Sequence, residues 1–118
     1  MTKFLILGGA RSGKSARAQA LTEAASPHRL FVATAEALDA EMTDRIKRHQ
    51  ADRGEGWRTI EAPLDLVSVI QGEINPGESV LIDCLTLWLS NLFHHNRDIE
   101  QETMALCNAL QSSQVQIA

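Results

Sequence analysis

The chain has 118 residues, of which 44% are hydrophobic, and its formal net charge is −4. This length fits one domain with a buried core, and no apolar run is long enough to cross a bilayer. The acidic balance, the aromatic content of 4% and the lack of Tyr argue against a nucleic-acid-binding surface. Lys and Arg are concentrated in residues 1–58, which hold ten of the eleven, and this suits a nucleoside triphosphate.

The first predicted elements are a strand, a glycine-rich loop and a helix. Residues 3–7 are apolar and predict a buried strand, and residues 16–25 are rich in strong helix formers. The eight residues between them fit the phosphate-loop pattern G-x-x-x-x-G-K-[ST] at every fixed position. They are Gly8, Gly9, Ala10, Arg11, Ser12, Gly13, Lys14 and Ser15. Such a loop directs backbone N–H groups and a positive helix end at one point, so it predicts a polyphosphate site.

Each residue type in the loop has a physical role. Gly8 and Gly13 permit the tight turn and the close approach of a phosphate. The Lys14 ammonium is expected to reach the β- and γ-phosphates, and the Ser15 hydroxyl to complete a Mg²⁺ shell. The alternative is a glycine-rich turn that only links strand to helix, but the pattern and its flanks together favour the phosphate site.

The rest of the chain alternates strands and helices. Strands are predicted at residues 29–34, 57–61 and 79–83, and a further one begins at 114–118. Helices are predicted at residues 39–53, 63–74, 85–93 and 98–110, with a turn at 75–77. This alternation predicts an α/β fold with a mostly parallel sheet covered by helices on both faces.

Two further positions are candidates for chemistry. Asp83 ends an apolar strand, where it is most often a turn residue, but beside a phosphate loop it is expected to hold Mg²⁺. His49 lies on one helix face with Met42 and Ile46, which by spacing alone favours a half-buried helix residue. Its functional alternative is a base or nucleophile, because a neutral imidazole can attack a phosphorus centre. Glu61, at a strand end, is either a ribose ligand or an ordinary exposed acid.

The N-terminus and the cysteines bear on location. The chain enters a predicted strand with no basic region or cleavage site before it, so we expect no signal peptide. Cys84 and Cys107 have no metal-type spacing. We therefore expect reduced thiols in a cytoplasmic protein.

Several segments together resemble a known family. They are the loop GGARSGKS at 8–15, VATA at 32–35, DAEM at 39–42 leading to His49, WRTIE at 57–61, and LIDCLT at 81–86 with WLSNL at 88–92. The combination resembles the bifunctional adenosylcobinamide kinase / adenosylcobinamide-phosphate guanylyltransferases of cobalamin biosynthesis, from residue 4 to about residue 93. The resemblance implies a RecA-like phosphate-loop NTPase fold and a homo-oligomer.

The resemblance also implies two reactions. One phosphorylates adenosylcobinamide with a nucleoside triphosphate, ATP or GTP. The other transfers GMP from GTP to adenosylcobinamide phosphate through a covalent GMP–histidine, and gives adenosyl-GDP-cobinamide. The matching histidine is His49, which makes it the first choice for the catalytic nucleophile. Lys14 of the phosphate loop is the second predicted catalytic residue.

The remaining site residues follow from the same resemblance. Nucleotide-contacting positions beyond the loop are matched by Ala33, Thr34, Ala35, Gln50, Ala51, Asp52, Arg53, Glu61 and Asp83. Ser15 and Asp83 match the metal positions. Members of the family are longer, so we expect residues 1–118 to be the N-terminal part of a single family domain, with a sheet incomplete at the C-terminus.

Two other functions stay open on the sequence alone. One is a different small-molecule kinase or NTPase that uses the same loop without a covalent histidine. The other is a GTP-binding module without catalysis.

Overall fold

The computed structural model describes Leu5, residues 13–35, Asp44 and residues 56–112, with only the backbone of Lys14 and Ser15. Seven elements follow one another in this part of the chain. They are α1 (Lys14–Ala25), β1 (Arg29–Ala33), β2 (Trp57–Glu61), α2 (Leu66–Gly72), β3 (Ser79–Asp83), α3 (Leu85–His94) and α4 (Ile99–Ser112). None of these helices is both long and apolar enough to cross a membrane.

The described strands form a parallel sheet in the order β2-β1-β3. The central strand β1 is buried over its last four residues, as expected for a strand with a neighbour on each side and helices above and below. The register pairs Arg29 with Trp57 and Ser79 at the amino edge of the sheet. Ala33 pairs with Glu61 and Asp83 at the carboxyl edge.

The two faces of the sheet bury different helices. Leu30, Val32 and Val80 point to one face, where they share a core with residues of α2, α3 and α4. Phe31 and Leu81, one position along each strand, belong to a second cluster with Ala18 of α1. Side chains alternate along a strand, so the two clusters lie on opposite faces. The parallel sheet with helices on both faces is therefore confirmed.

The amino edge of the sheet is held by an ion pair between a buried carboxylate and a partly exposed guanidinium. Arg58 binds Glu78 through two nitrogens, with Nη2–Oε1 at 2.7 Å and Nε–Oε2 at 3.0 Å. The Asn75 N–H donates to the same carboxylate at 2.8 Å. These donors favour the charged form, so the hydrogen bond from Arg58 holds the pKa of Glu78 below its usual value although burial opposes it.

Most predicted elements in the described ranges are confirmed. The strands at 29–34, 57–61 and 79–83 and the helices at 16–25, 85–93 and 98–110 are present. The helix predicted from Pro63 to Ile74 is shorter and runs only over Leu66–Gly72.

Three predicted elements fall on residues outside the described ranges, wholly or nearly so. They are the strand at 3–7, the helix at 39–53 and the strand at 114–118. Leu5 is 69% exposed and lies in no strand, which differs from the buried strand position expected for it. Asp44 is helical and exposed, in agreement with its prediction.

Candidate functional site

Three of the predicted site residues form a row at the carboxyl edge of the sheet. Ala33 ends β1 and pairs with Glu61 at the end of β2 and with Asp83 at the end of β3. Neighbouring strands are about 4.8 Å apart, so the two acidic residues are separated by roughly 10 Å. Glu61 is exposed and Asp83 is partly buried. Register partners in parallel strands share a face, so this row lies on the face that carries α1.

Helix α1 runs opposite to the strands and brings its N-terminus to this edge. Near its C-terminal end, Thr22 O accepts a 2.8 Å hydrogen bond from the Ser79 hydroxyl at the amino end of β3. From Thr22 back to Gly13 the helix covers about 13 Å at 1.5 Å per residue. From Ser79 to Asp83 the strand also covers about 13 Å. The start of α1 is therefore level with Asp83.

The start of α1 has the features of an anion site. Gly13 caps the helix in a left-handed conformation with φ 84° and ψ 11°, and its carbonyl accepts the Arg17 N–H at 3.0 Å. No acidic residue lies in the first turn. The free N–H groups and positive end of a helix attract anions. No carboxylate of that turn opposes this attraction.

Thr34, directly after β1, is completely buried and fully engaged. Its hydroxyl donates to the Cys84 carbonyl at 2.7 Å and accepts the Cys84 N–H at 2.8 Å. Its own N–H donates to Asp83 O at 3.1 Å. The Thr34 hydroxyl therefore already has its hydrogen-bond partners within the protein. The neighbouring Ala35 is more exposed, and it is the residue of this segment that a ligand can reach.

Asn91 of α3 ties together the loops that follow two strands. Its Nδ2 donates to Thr34 O at 2.7 Å and to Pro63 O at 3.0 Å. Asn91 is 9% exposed; its bond to Thr34 O is buried and its bond to Pro63 O is partly buried. Sequence reasoning assigned no role to Asn91, although an amide inside the apolar stretch 85–93 is a signal for a buried polar contact.

The structure brings together the site residues that it describes. Gly13, Ala33, Thr34, Glu61 and Asp83 lie along the carboxyl edge or at the start of the helix level with it, and Ala35 follows on. Lys14 and Ser15 begin α1. The other predicted positions lie outside the described residues. They are Gly8, Gly9, Ala10, Arg11, Ser12, His49, Gln50, Ala51, Asp52 and Arg53.

This architecture defines the class of protein. A parallel α/β sheet with helices on both faces binds ligands outside the carboxyl ends of its strands. Comparison with known proteins then gives the family. The family described as cobinamide kinase / cobinamide phosphate guanyltransferase matches residues 4–118, and the chain belongs to this family. Membership agrees with the RecA-like phosphate-loop NTPase fold expected from the sequence.

Curated relatives show the same kinship. The chain is 45% identical over 107 residues to the bifunctional adenosylcobalamin biosynthesis protein CobP of Pseudomonas aeruginosa, covering 87% of this chain and 62% of that protein. It is 47% identical over 89 residues to the bifunctional adenosylcobalamin biosynthesis protein CobU of Escherichia coli. It is 42% identical over 89 residues to CobU of Salmonella typhimurium. The last two matches each cover 75% of this chain and 49% of the relative, so the chain spans about half to three-fifths of these proteins.

Proposed function

We propose that the protein carrying this chain phosphorylates adenosylcobinamide with a nucleoside triphosphate and then transfers GMP from GTP to adenosylcobinamide phosphate. The product of the second reaction is adenosyl-GDP-cobinamide. The observation that carries the proposal is the family match over residues 4–118. The geometry of the carboxyl edge supports it, because an anion-attracting helix start and a carboxylate stand level with each other.

The loop and the helix start have the phosphate-binding roles in this proposal. Residues 8–15 surround the nucleotide phosphates with backbone N–H groups, and Lys14 balances the charge on the β- and γ-phosphates. Segment 33–35, the four residues after His49, and Glu61 contact the rest of the nucleotide.

Asp83 fits the expected divalent cation. Mg²⁺ in nucleotide sites is held by one or two carboxylates together with phosphates and water. The described residues contain no group of three or more His, Cys, Asp or Glu that would form an all-protein metal cage. A single partly buried carboxylate at a strand end suits the first arrangement, with Ser15 as the second ligand. The cation would neutralise charge on the phosphates.

His49 is the proposed nucleophile of the transferase reaction. One ring nitrogen attacks the α-phosphorus of GTP, a P–N bond forms, and the bond to the departing pyrophosphate breaks. A phosphate oxygen of the cobinamide phosphate then attacks the same phosphorus, and the P–N bond breaks to restore the imidazole. One nucleotide site can serve both reactions in turn, because the product of the first reaction, adenosylcobinamide phosphate, is the acceptor of GMP in the second.

Product analysis with three variants tests the proposal. The protein is incubated with adenosylcobinamide, Mg²⁺ and ATP or GTP, and the corrinoids are separated and weighed by mass spectrometry. Lys14→Ala is expected to lose both products. His49→Ala is expected to keep the phosphorylated product and lose adenosyl-GDP-cobinamide. His28→Ala, in the exposed loop before β1, is the matched control and keeps both.

The outcomes separate the alternatives. Phosphorylation of another small molecule, with none of adenosylcobinamide, favours a different kinase. GTP binding without any product favours a module without catalysis. A homo-oligomer and a cytoplasmic location belong to the same proposal, and sedimentation of the purified protein tests the first.

A further inference from the structure

The peptide groups around Asp83 are fixed by one buried residue, through its backbone N–H and its side chain. Thr34 donates its N–H to Asp83 O, and its hydroxyl exchanges two hydrogen bonds with the next residue, Cys84. The Asp83 carbonyl and both polar backbone groups of Cys84 are thereby held. These groups set the direction of the backbone at the end of the strand. They therefore also set the position from which the Asp83 side chain extends.

A second side chain fixes Thr34 in turn. Asn91 Nδ2 donates to the carbonyls of Thr34 and Pro63. Pro63 comes two residues after Glu61, so this amide connects the ends of β1 and β2 through α3. Only an amide or similar double donor can serve two carbonyl oxygens in this way. We call Thr34, Cys84 and Asn91 the carboxyl-edge clamp.

Burial makes the clamp costly to break. Thr34 is 0% exposed and Asn91 is 9% exposed, while their partners Cys84 and Pro63 are partly buried, so water replaces a lost hydrogen bond only in part. A buried polar group left without its partner costs roughly 1–3 kcal/mol. The strand end then relaxes rather than keep unpaired groups in place.

We propose that Thr34 and Asn91 are positioning residues, which hold the backbone of Asp83 so that its carboxylate stays level with the start of α1. The role of Asp83 toward a divalent cation rests on the proposed function. The mechanical role of the clamp, which is to hold the backbone of Asp83 in place, is independent of the proposed function, because it is argued from the hydrogen bonds alone.

Cysteine labelling tests the mechanical role without any nucleotide. Cys84 is partly buried and belongs to the clamp, whereas Cys107 is exposed on α4 and gives an internal reference. Thr34→Val is expected to raise the rate of Cys84 alkylation by iodoacetamide about tenfold relative to Cys107, through loss of two hydrogen bonds. Thr34→Ser keeps the hydroxyl and is expected to restore the slow rate.

The matched control is at the other end of the same sheet. Ser79→Ala removes a buried hydroxyl whose bond to Thr22 O is also 2.8 Å. It is expected to destabilise the fold while leaving the Cys84 rate near that of the wild type. Equal acceleration by Ser79→Ala and Thr34→Val would mean that Thr34 acts only through global stability, and would overturn the proposal.

Cation linkage tests the effect on Asp83. The affinity for GTP is measured with and without Mg²⁺ by calorimetry for the wild type, Asp83→Asn, Thr34→Val and Thr34→Ser. For Thr34→Val, the ratio of the GTP affinity with Mg²⁺ to the GTP affinity without it is expected to be about tenfold smaller than for the wild type. Thr34→Ser is expected to retain the gain, and so is Ser79→Ala, which is measured in the same way as a control.

The two failures are distinguishable. If Mg²⁺ adds no affinity to the wild type, or Asp83→Asn keeps the full gain, the proposed function of Asp83 fails. If Asp83→Asn loses the gain while Thr34→Val keeps it, the positioning role fails. Should Thr34→Val not fold, Asn91→Leu removes the amide donor alone. It must then raise the Cys84 rate and reduce the Mg²⁺ gain, or the proposal is wrong.

Discussion

At the scale of single residues, two glycines share a conformation but have different surroundings. Gly56 and Gly77 both have φ 84°, a left-handed backbone that disfavours a side chain. A Cβ on Gly56 would lie 2.8 Å from Pro27 O and 3.3 Å from a guanidinium nitrogen of Arg29. A Cβ on Gly77 would meet nothing within 4 Å. A side chain at Gly77 would therefore meet backbone strain alone, whereas a side chain at Gly56 would meet the same strain and a steric conflict.

Alanine substitution of these glycines gives the first prediction. Gly77→Ala is expected to cost about 1 kcal/mol of unfolding free energy, from backbone strain alone. Gly56→Ala is expected to cost about 3 kcal/mol, because the Pro27 carbonyl is backbone and cannot turn away. Urea unfolding of both variants measures the difference, and equal costs would contradict the close approach at Gly56.

The second residue-scale prediction concerns pH and Glu78. Its pKa is lowered in the folded protein, chiefly by the hydrogen bond from Arg58. A lowered carboxyl pKa gives stability that is complete above the unfolded value of about 4.3 and is lost as pH falls through the folded value. Glu78→Gln is therefore expected to be less stable than the wild type by about 2 kcal/mol at pH 7.

The stability difference should shrink with acid. Below about pH 4 the wild type loses the contribution of the ionised Glu78, whereas the amide side chain of the variant has no proton to gain. Urea midpoints of both proteins from pH 7 to pH 3 follow this convergence. A difference that stays constant over the whole range would show that the charge of Glu78 contributes nothing.

The site was predictable from the sequence only in part, for a reason visible in these residues. Asp83 and Glu61 stand at strand ends, and strand ends follow from apolar runs, so the sequence predicted the place of each at the end of its strand. The Thr34–Cys84 and Arg58–Glu78 contacts depend on which strand lies beside which. Nothing local in the sequence gives that register, so neither contact was predicted.

At the scale of elements, α3 is anchored by its tryptophan as well as by Asn91. Trp88 is 1% exposed, and its indole N–H donates to Leu64 O at 3.1 Å. Asn91 holds the neighbouring carbonyl of Pro63. These two carbonyls would otherwise accept the first bonds of a helix starting at Pro63. This explains why α2 begins only at Leu66, later than propensity predicted.

Replacing each tryptophan by Phe tests this anchoring. Trp88→Phe is expected to cost about 2 kcal/mol, because it leaves a cavity and removes the hydrogen bond to the partly buried Leu64 carbonyl. Trp57→Phe is the control, since Trp57 is only partly buried and its N–H meets the Glu23 carboxylate at 3.4 Å. Its expected cost is below about 1 kcal/mol. Thermal unfolding followed by circular dichroism compares them, and similar losses would contradict a special role for Trp88.

At the scale of the whole molecule, the order of elements predicted the architecture well. Alternating strands and helices require crossover connections, and such connections cover both faces of a parallel sheet. The described core agrees, with α1 on one face and α2, α3 and α4 on the other. The phosphate loop, between an apolar stretch and a helix, also predicts which end of the sheet is expected to bind the ligand.

In the proposed function, this edge of the sheet binds GTP and His49 carries GMP during transfer. The most direct measurement is the intact mass of the protein after incubation with GTP and Mg²⁺, beside a His49→Ala control. We predict a single GMP adduct that acid removes, as expected for a P–N bond, and that the control lacks. A protein that binds GTP without forming the adduct, or an adduct that persists in His49→Ala, would contradict the claim.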